Sequence, residues 1–502
     1  MSLHPSFEAF ERDWAQGKNA LVYARLAADL DTPVSLMAKL GEARTDTFML
    51  ESVTGGEVRG RYSIVGMKPD LIWTCHGTQA SINREARFDS AAFTDQTGAP
   101  LDNLRALLAE CRVDLPEGLP AVAAGLFGYL GYDMIRLVEN LPHVNPDPLG
   151  LPDAVMLRPS IVAVLDGVKG EVTLVAPAWV AGGLSARAAY AQAAERVMDA
   201  LRDLDRTPPA LRDLGETTPV GEQVSNFTHE GYKQAVLKAK DYIRAGDIFQ
   251  VVPSQRWSQD FTLPPFAFYR SLRRTNPSPF MFFFNFGPFQ VVGASPEILV
   301  RLRDGEVTVR PIAGTRKRGL TPEEDRALEA DLLSDQKELA EHLMLLDLGR
   351  NDVGRVAKVG SVHPTEQFIV ERYSHVMHIV SNVVGQIAEG QDALSALLAG
   401  MPAGTVSGAP KVRAMEIIDE LEPEKRGVYG GGVGYFACNG EMDFCIALRT
   451  AVLKDGKLYI QSGGGVVYDS DPEAEYQETV NKSKALRRAA EDAGTFVRRG
   501  NL

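Results

Sequence analysis

The sequence predicts an α+β protein built on large antiparallel β-sheets flanked by helices. Hairpin signals carry most of that expectation. EILVRLRDGEVTVRPI (297–312) and RTAVLKDGKLYIQSGGG (449–465) each hold an Asp-Gly pair between β-rich runs, and Asp-Gly favours a two-residue hairpin turn. SIVAVLD and EVTLVAP within 160–177 meet through a glycine-containing turn, and MFFFNFGPFQVVGAS (281–295) reads as two more strands. Strands joined this closely run antiparallel. Long stretches with helical spacing separate these hairpins. The short connections between strands argue against the doubly wound parallel folds, and no GxGxxG or Walker loop announces a nucleotide site.

Along the chain, helical spacing over 185–204 runs into RTPPALRDLGETTPVGEQVSN (206–226), rich in Pro, Gly and Thr. That composition reads as a linker and divides an N-terminal region, 1–205, from a second region, 227–502. Asn226 or Thr228 is placed to cap the helix that follows. The chain has 502 residues, 45 % hydrophobic and 24 % charged, an ordinary globular balance. A formal charge of −13 argues against nucleic acid, whose phosphates need a basic surface. A small anionic substrate stays open, because local arginines and a bound cation reverse the field inside a cleft. The opening MSLHPSFEAFERDW lacks the regions of a signal peptide, and AVAAGLFGYLGYDMI (121–135) is too short to span a bilayer. A cytoplasmic protein without membrane contact is expected. Cys75, Cys111, Cys438 and Cys445 show neither CxxC spacing nor a Gly-x-Cys-x-Gly turn, so buried, inert thiols are expected.

Two helical segments carry the candidate chemistry. Glu338 and Glu341 lie in SDQKELAEHLMLLDLGRND (334–352), and Glu475 and Glu478 in DPEAEYQETVNKSKAL (471–486). A spacing of three places each pair on one helical face. Where such faces meet, carboxylates must take up protons or share a cation, and Mg²⁺ with oxygen ligands satisfies them. PIAGT (311–315) ends a strand with Gly314 and Thr315. MPAGTVSGAPKVRAMEIID (401–419) leads a loop into a helix, with backbone N–H groups near Thr405–Gly408 placed to receive an anion. QSGGGVVYDS (461–470) holds Gly463, Gly464 and Gly465 after a strand, which lets a ligand approach the backbone. Arg449 can clamp a carboxylate, Tyr429 offers a hydroxyl, and Lys482 lies one turn beyond Glu478. His378 is the acid/base candidate, with His375 its equal on pattern alone.

Taken in order, GDIFQVVPSQRW (246–257), NPSPFMFF (276–283), GASPE (293–297), PIAGTRKRG (311–319), ELAEHLMLLDLGRND (338–352), VMHIVS (376–381), GTVSGAPKVRAMEIID (404–419), YGGGVGY (429–435), ALRT (447–450), QSGGG (461–465) and EYQETVNKS (475–483) form one series. The series resembles the chorismate-utilising enzymes, and among them the anthranilate synthase large subunits. FMLES (48–52) and GLFGYLGYD (125–133) extend the likeness into the first half. The resemblance implies that the sheets pack as a sandwich. It implies Mg²⁺ on Glu341 and Glu478, with Glu338 and Glu475 close by through water. Arg449, Tyr429 and the backbone of Gly463, Gly464 and Gly465 would bind the enolpyruvyl carboxylate of chorismate. Gly314, Thr315, Thr405 and Lys482 would line the rest.

Relatives that add water carry a lysine where this chain has Gln250. Aminodeoxychorismate synthases typically read PIKGT where this chain has Ala313. Direct attack by ammonia is implied, giving anthranilate and pyruvate, the first committed step of tryptophan biosynthesis. Glu297 would protonate the leaving hydroxyl and His378 take the C2 proton. The alternatives are aminodeoxychorismate synthase and a non-catalytic tryptophan-sensing homologue; the intact glutamates and His378 count against the latter. A separate glutamine amidotransferase subunit would supply the ammonia. FMLES with NPSPFMFF resembles a tryptophan feedback site. There Glu51 would take the amino group, Ser52 hydrogen-bond nearby, and Pro279, Phe280 and Met281 wall the indole. Phe280 stands where a tyrosine is common.

Overall fold

In the computed structural model, residues 2–52, 60–206, 221–373 and 376–497 are described. The Asp-Gly turns take the left-handed backbone that their chemistry favours: φ is 48° and 76° at Asp304 and Gly305, and 51° and 74° at Asp455 and Gly456. They close the hairpins Ile298–Arg303 with Glu306–Val309 and Thr450–Lys454 with Lys457–Gly463. Ala154–Asp166 pairs with Glu171–Ala178, and Phe280–Asn285 with Phe289–Ser295, as expected. All the described ladders are antiparallel.

Two long strands, Tyr62–His76 and Ala154–Asp166, pair along most of their length with a bulge between Pro69 and Leu71. A bulge bends and twists a pair locally, and here each half of the pair feeds a different sheet. Around Ile64–Gly66 the ladder continues through Thr47–Glu51, Phe280–Asn285, Phe289–Ser295, Thr450–Lys454 and Lys457–Gly463 to Ser254–Asp260. From Ala154–Leu157 it continues through Gly125–Leu130, Gly432–Ala437, Met442–Ile446, Ile298–Arg303 and Glu306–Val309 to Val376–Gln386, which also pairs with Ile312–Lys317.

The two sheets face each other across a core holding Phe48, Phe282 and Phe284 from one and Phe127, Tyr129 and Tyr435 from the other. Phe48 stacks on Phe127 at 4.5 Å between ring centroids. The apolar run of 281–284 is explained by burial on both faces. Phe282 and Phe284 point between the sheets, while Met281 and Phe283 join the core under helices Ala186–Leu204, Pro265–Thr275 and Pro472–Asp492. Helices Pro100–Glu110, Gln336–Gly354 and Ala393–Gly400 cover the outer face of the second sheet. The expected α+β sandwich is therefore the observed one.

Both regions flanking the expected linker contribute to both sheets, through Thr47–Glu51 against Phe280–Asn285 and Gly125–Leu130 against Gly432–Ala437. Of that linker, 207–220 lie outside the described residues. Val224–Ser225 pairs with Trp257 and Ser258, and Thr228 caps helix His229–Ala245. Among the described residues no helix is long and apolar enough to cross a membrane.

Candidate active site

Side-chain caps set the phase of the two acidic helices. Asp335 accepts from the N–H groups of Lys337 and Glu338 to start Gln336–Gly354, and Asp471 does the same from Glu473 and Ala474 to start Pro472–Asp492. The acidic faces come within electrostatic reach of each other. Burial raises the Glu341 carboxyl, and the charges of Glu338 and Glu478 add to it. Burial pushes Glu475 up to about 7, with Glu478 contributing, and its Oε2 is buried without a hydrogen-bond partner. Gln250 Nε2 donates to Glu341 Oε1 at 3.3 Å. Lys482 pairs with Glu478 at 2.7 Å, and Arg316 with Glu338 at 3.2 Å.

Among the described residues no group of three or more Asp, Glu, His or Cys side chains is close enough to hold a metal ion. The carboxylates are gathered rather than closed around a point. Such an all-oxygen set suits magnesium, which takes one or two carboxylates and fills its octahedron with water and substrate oxygens. Glu341 and Glu478 are the side chains that could hold it, with Glu338 against Gly314 and Glu475 against Gly464 beside them.

The glycine run forms a floor against these acids. Gly463 lies opposite Ser254, and its carbonyl accepts from Lys482 Nζ at 2.9 Å. A Cβ on Gly464 would sit 3.1 Å from Glu475 Oε2, and one on Gly465 only 2.5 Å from Gln250 Nε2. The Tyr429 hydroxyl is 3.0 Å from where a Gly463 Cβ would be. Burial pushes Tyr429 up to about 12, so it remains a hydrogen-bond donor at neutral pH.

Gly314, at φ 68°, makes the bulge between Ala313 and Thr315. The bulge turns its own carbonyl and the Thr315 hydroxyl to His378 Nδ1, at 3.1 and 3.0 Å. A carbonyl only accepts, so the His378 proton is assigned to Nδ1 and Nε2 keeps its lone pair. Burial lowers His378 to about 4, leaving the ring neutral at pH 7. The Tyr373 ring meets it edge-on at 5.5 Å.

Glu297, buried, accepts from the Thr405 hydroxyl at 3.2 and 3.3 Å. Burial pushes this carboxyl up to about 8. Within electrostatic reach of it stands Arg449, held at a left-handed φ of 46°. A non-glycine residue kept there costs on the order of 1–3 kcal/mol, strain that tends to mark functional positions. Its guanidinium makes no hydrogen bond or ion pair among the described residues, and burial lowers its pKa. A charge desolvated without a counter-charge is costly, so the arrangement is suited to receive an anion.

The predicted catalytic, substrate and metal residues thus sit together in one connected cluster. His375 lies outside the described residues. One expectation is corrected. The N–H groups of Val406 and Ser407 are spent on the carbonyls of Ala403 and Gly404, because Gly404–Val406 is a separate 3₁₀ turn ahead of helix Lys411–Leu421. That loop therefore offers the Thr405 side chain rather than a helix N-terminus. Sequence reasoning missed Arg316, which ties Glu338 to Asp331 and Asp335. Its only signal was its place one residue after Thr315, since the packing of that strand against the Glu338 helix was not readable.

A separate cavity of about 910 Å³ is lined by Glu51, Ser52, Pro279, Phe280 and Met281, with Glu51 directly opposite Met281 in adjoining strands. Glu51 arrives there already compensated. Arg273 Nη2 donates to it at 2.6 Å and the Tyr269 hydroxyl at 2.7 Å, so a ligand amine would have to share it.

By fold and site this is the class of chorismate-binding enzymes, and the profile of the family described as chorismate binding enzyme matches residues 57–488. Similar curated proteins narrow the class. Anthranilate synthase component 1 of Cereibacter sphaeroides is 84 % identical over 494 residues, covering 98 % of this chain and 99 % of that one. Its counterpart in Pseudomonas putida is 52 % identical over 493 residues, covering 96 % and 97 %. Among solved structures, anthranilate synthase component I from Streptococcus pneumoniae TIGR4 superposes with a TM-score of 0.75 at 39 % identity, over 87 % of this chain and 94 % of that one. The menaquinone-specific isochorismate synthase of Escherichia coli, at 20 % identity and a TM-score of 0.70, over 97 % of this chain and 99 % of that one, shares the fold. The chain belongs to the anthranilate synthase component 1 members of the chorismate-binding family.

Proposed function

We propose that this chain makes anthranilate and pyruvate from chorismate and ammonia. The observation that carries the reading is Arg449, a half-buried guanidinium with no hydrogen bond or ion pair among the described residues, across from a carboxyl that burial keeps protonated, Glu297. A dianionic substrate between Arg449 and the acidic helices would be gripped at one carboxylate by Arg449, Tyr429 and the Gly463–Gly465 backbone. Magnesium, when bound on Glu341 and Glu478, supplies charge neutralisation for the ring carboxylate.

Ammonia adds at C2 as the C4 hydroxyl departs. Glu297 provides the proton that makes that hydroxyl a leaving group, and Thr405 holds Glu297 in place. His378 Nε2 then accepts the C2 proton as pyruvate is expelled and the ring aromatises, so the site mainly positions groups and moves protons. Gln250 supports ammonia as nucleophile. Its Oε1 is buried with no hydrogen-bond partner, and an amide oxygen can accept an N–H but cannot deprotonate water. Ala313 offers no nucleophile for a covalent route.

The test is to incubate the chain with chorismate, Mg²⁺ and ammonium and follow anthranilate fluorescence and pyruvate. Equal amounts of both are expected. An aminated product without pyruvate would assign the chain to aminodeoxychorismate synthesis instead, and tight chorismate binding without turnover would favour a sensor.

Tryptophan inhibits by occupying the cavity beside Ser52, with indole against Pro279, Phe280 and Met281. It acts by favouring a state that binds chorismate less well. Ser52→Arg is expected to remove inhibition while sparing uninhibited turnover; normal inhibition of that variant would displace the site from this cavity.

A further inference from the structure

Beneath the substrate cradle lies an ion pair that touches no reacting group. Arg426 and Glu422 are 3 % and 5 % exposed. Arg426 Nε donates to both Glu422 oxygens at 3.1 and 3.0 Å, and Nη2 donates to Oε1 at 2.5 Å. Nη1 also donates to the Val406 carbonyl and Nη2 to the Val252 carbonyl, both at 2.6 Å. Glu422 Oε1 accepts in addition from the Ser254 N–H at 2.7 Å and the Ser254 hydroxyl at 2.9 Å. The guanidinium lies over two rings, 4.7 Å from the centroid of Tyr132 and 5.4 Å from that of Tyr429.

Each of these bonds ends on a segment that carries a pocket residue. Val406 follows Thr405, and Val252 is two residues from Gln250. Ser254 is the cross-strand neighbour of Gly463, and Tyr429 is itself in the cradle. A buried pair that served stability alone would be matched or bettered by apolar side chains of the same volume. What an apolar replacement would not do is hold four separate pieces of backbone and ring at fixed spacing. Only a planar fork can meet a carboxylate and two carbonyls in its plane while stacking through its faces, a geometry that lysine lacks.

We propose that the Arg426–Glu422 pair is a positioning element for chorismate, setting the spacing between Thr405, Tyr429 and the Gly463 backbone. It rests on the proposed reaction for the identity of the ligand. A loosened hub leaves a folded protein whose cradle is misplaced, and misplacement by about 1 Å can cost roughly 10²-fold in rate.

The test titrates chorismate calorimetrically, with Mg²⁺ and no ammonia, into wild type, Arg426→Lys, Ser254→Ala and Tyr132→Phe, with thermal melts in parallel. Arg426→Lys is expected to bind about tenfold or more weakly per folded molecule. Ser254→Ala removes two hydrogen bonds, the one its hydroxyl donates to Glu422 and the one it accepts from Gln461 Nε2 at 2.8 Å, and keeps the pair, so at least roughly threefold weakening is expected; it decides the matter should Arg426→Lys fail to fold. Tyr132→Phe keeps the ring and is expected to bind as wild type. A folded Arg426→Lys with wild-type affinity, or one that loses binding sites only in proportion to its unfolded fraction, overturns the proposal. So does unchanged affinity in Ser254→Ala when the lysine variant is unfolded. A wild type that does not bind chorismate strikes the proposed reaction itself, and this proposal falls with it.

Discussion

Burial moves Glu297 and His378 in opposite directions, because it disfavours whichever form is charged. For the carboxyl the neutral form holds the proton, so Glu297, pushed up to about 8, is a competent acid below that value. For the imidazole the neutral form lacks it, so His378, lowered to about 4, is a competent base above that value. Activity of the free enzyme should therefore form a plateau between these limits, and kcat/KM should fall as pH rises through about 8. Glu297→Gln cannot donate the proton. We expect a rate loss of roughly 10²–10⁴-fold and disappearance of the alkaline limb. If the limb survives in Glu297→Gln, another group supplies the acid. The same shift has a stability consequence with a definite sign. The folded state keeps a proton that the unfolded chain releases, so this contribution is present below the ordinary carboxyl value and is lost as pH climbs towards about 8.

At the scale of elements, the hairpins and both acidic helices were legible because local chemistry decides them. Asp-Gly specifies its own turn, and a spacing of three specifies a helical face. Their mutual placement was not legible. Nothing in PIAGT says that Arg316 will reach the helix carrying Glu338, and nothing in the 401–419 segment says that its glycines end in a 3₁₀ turn. Two predictions belong to this scale. Gly465 is not in a left-handed conformation, so alanine strains no backbone there, yet its methyl would meet Gln250 Nε2 at 2.5 Å. Gly465→Ala should thus shift the melting temperature little while weakening chorismate binding; normal binding would show that Gln250 is free to move. Burial is the first cause of the raised Glu341 and Glu475 carboxyls, and Glu478 adds repulsion to Glu341 from the facing helix. A cation held between the two helices should raise folding stability by roughly 1–3 kcal/mol at saturation. Mg²⁺ against chelator in thermal melts measures this, and the increment should vanish in a Glu341→Gln, Glu478→Gln double variant.

The whole molecule interleaves its halves so that strands distant in sequence share both sheets, a property that no local pattern announces. One consequence is that the cavity walled by Ser52 and Phe280 also reaches Ile312 and Tyr373, and the Tyr373 ring borders His378. A ligand in the cavity is therefore one side chain from the candidate base, a short physical path for coupling. The other consequence concerns ammonia. Cleaving glutamine through a covalent thioester requires an accessible cysteine with a lowered pKa. All four cysteines are buried. Burial pushes Cys75, Cys111 and Cys438 up to about 12, 11 and 12 and raises Cys445 as well. These 502 residues therefore hold no thiolate to release the ammonia that the proposed reaction uses. The purified chain should turn over chorismate with ammonium and not with glutamine, and thiol alkylation should leave the ammonium reaction intact. Adding a glutaminase subunit should restore the glutamine reaction and make it, alone, sensitive to alkylation. Glutamine-dependent turnover by the isolated chain would mean that one of these buried thiols is exposed and ionised in solution, against the packing that surrounds it.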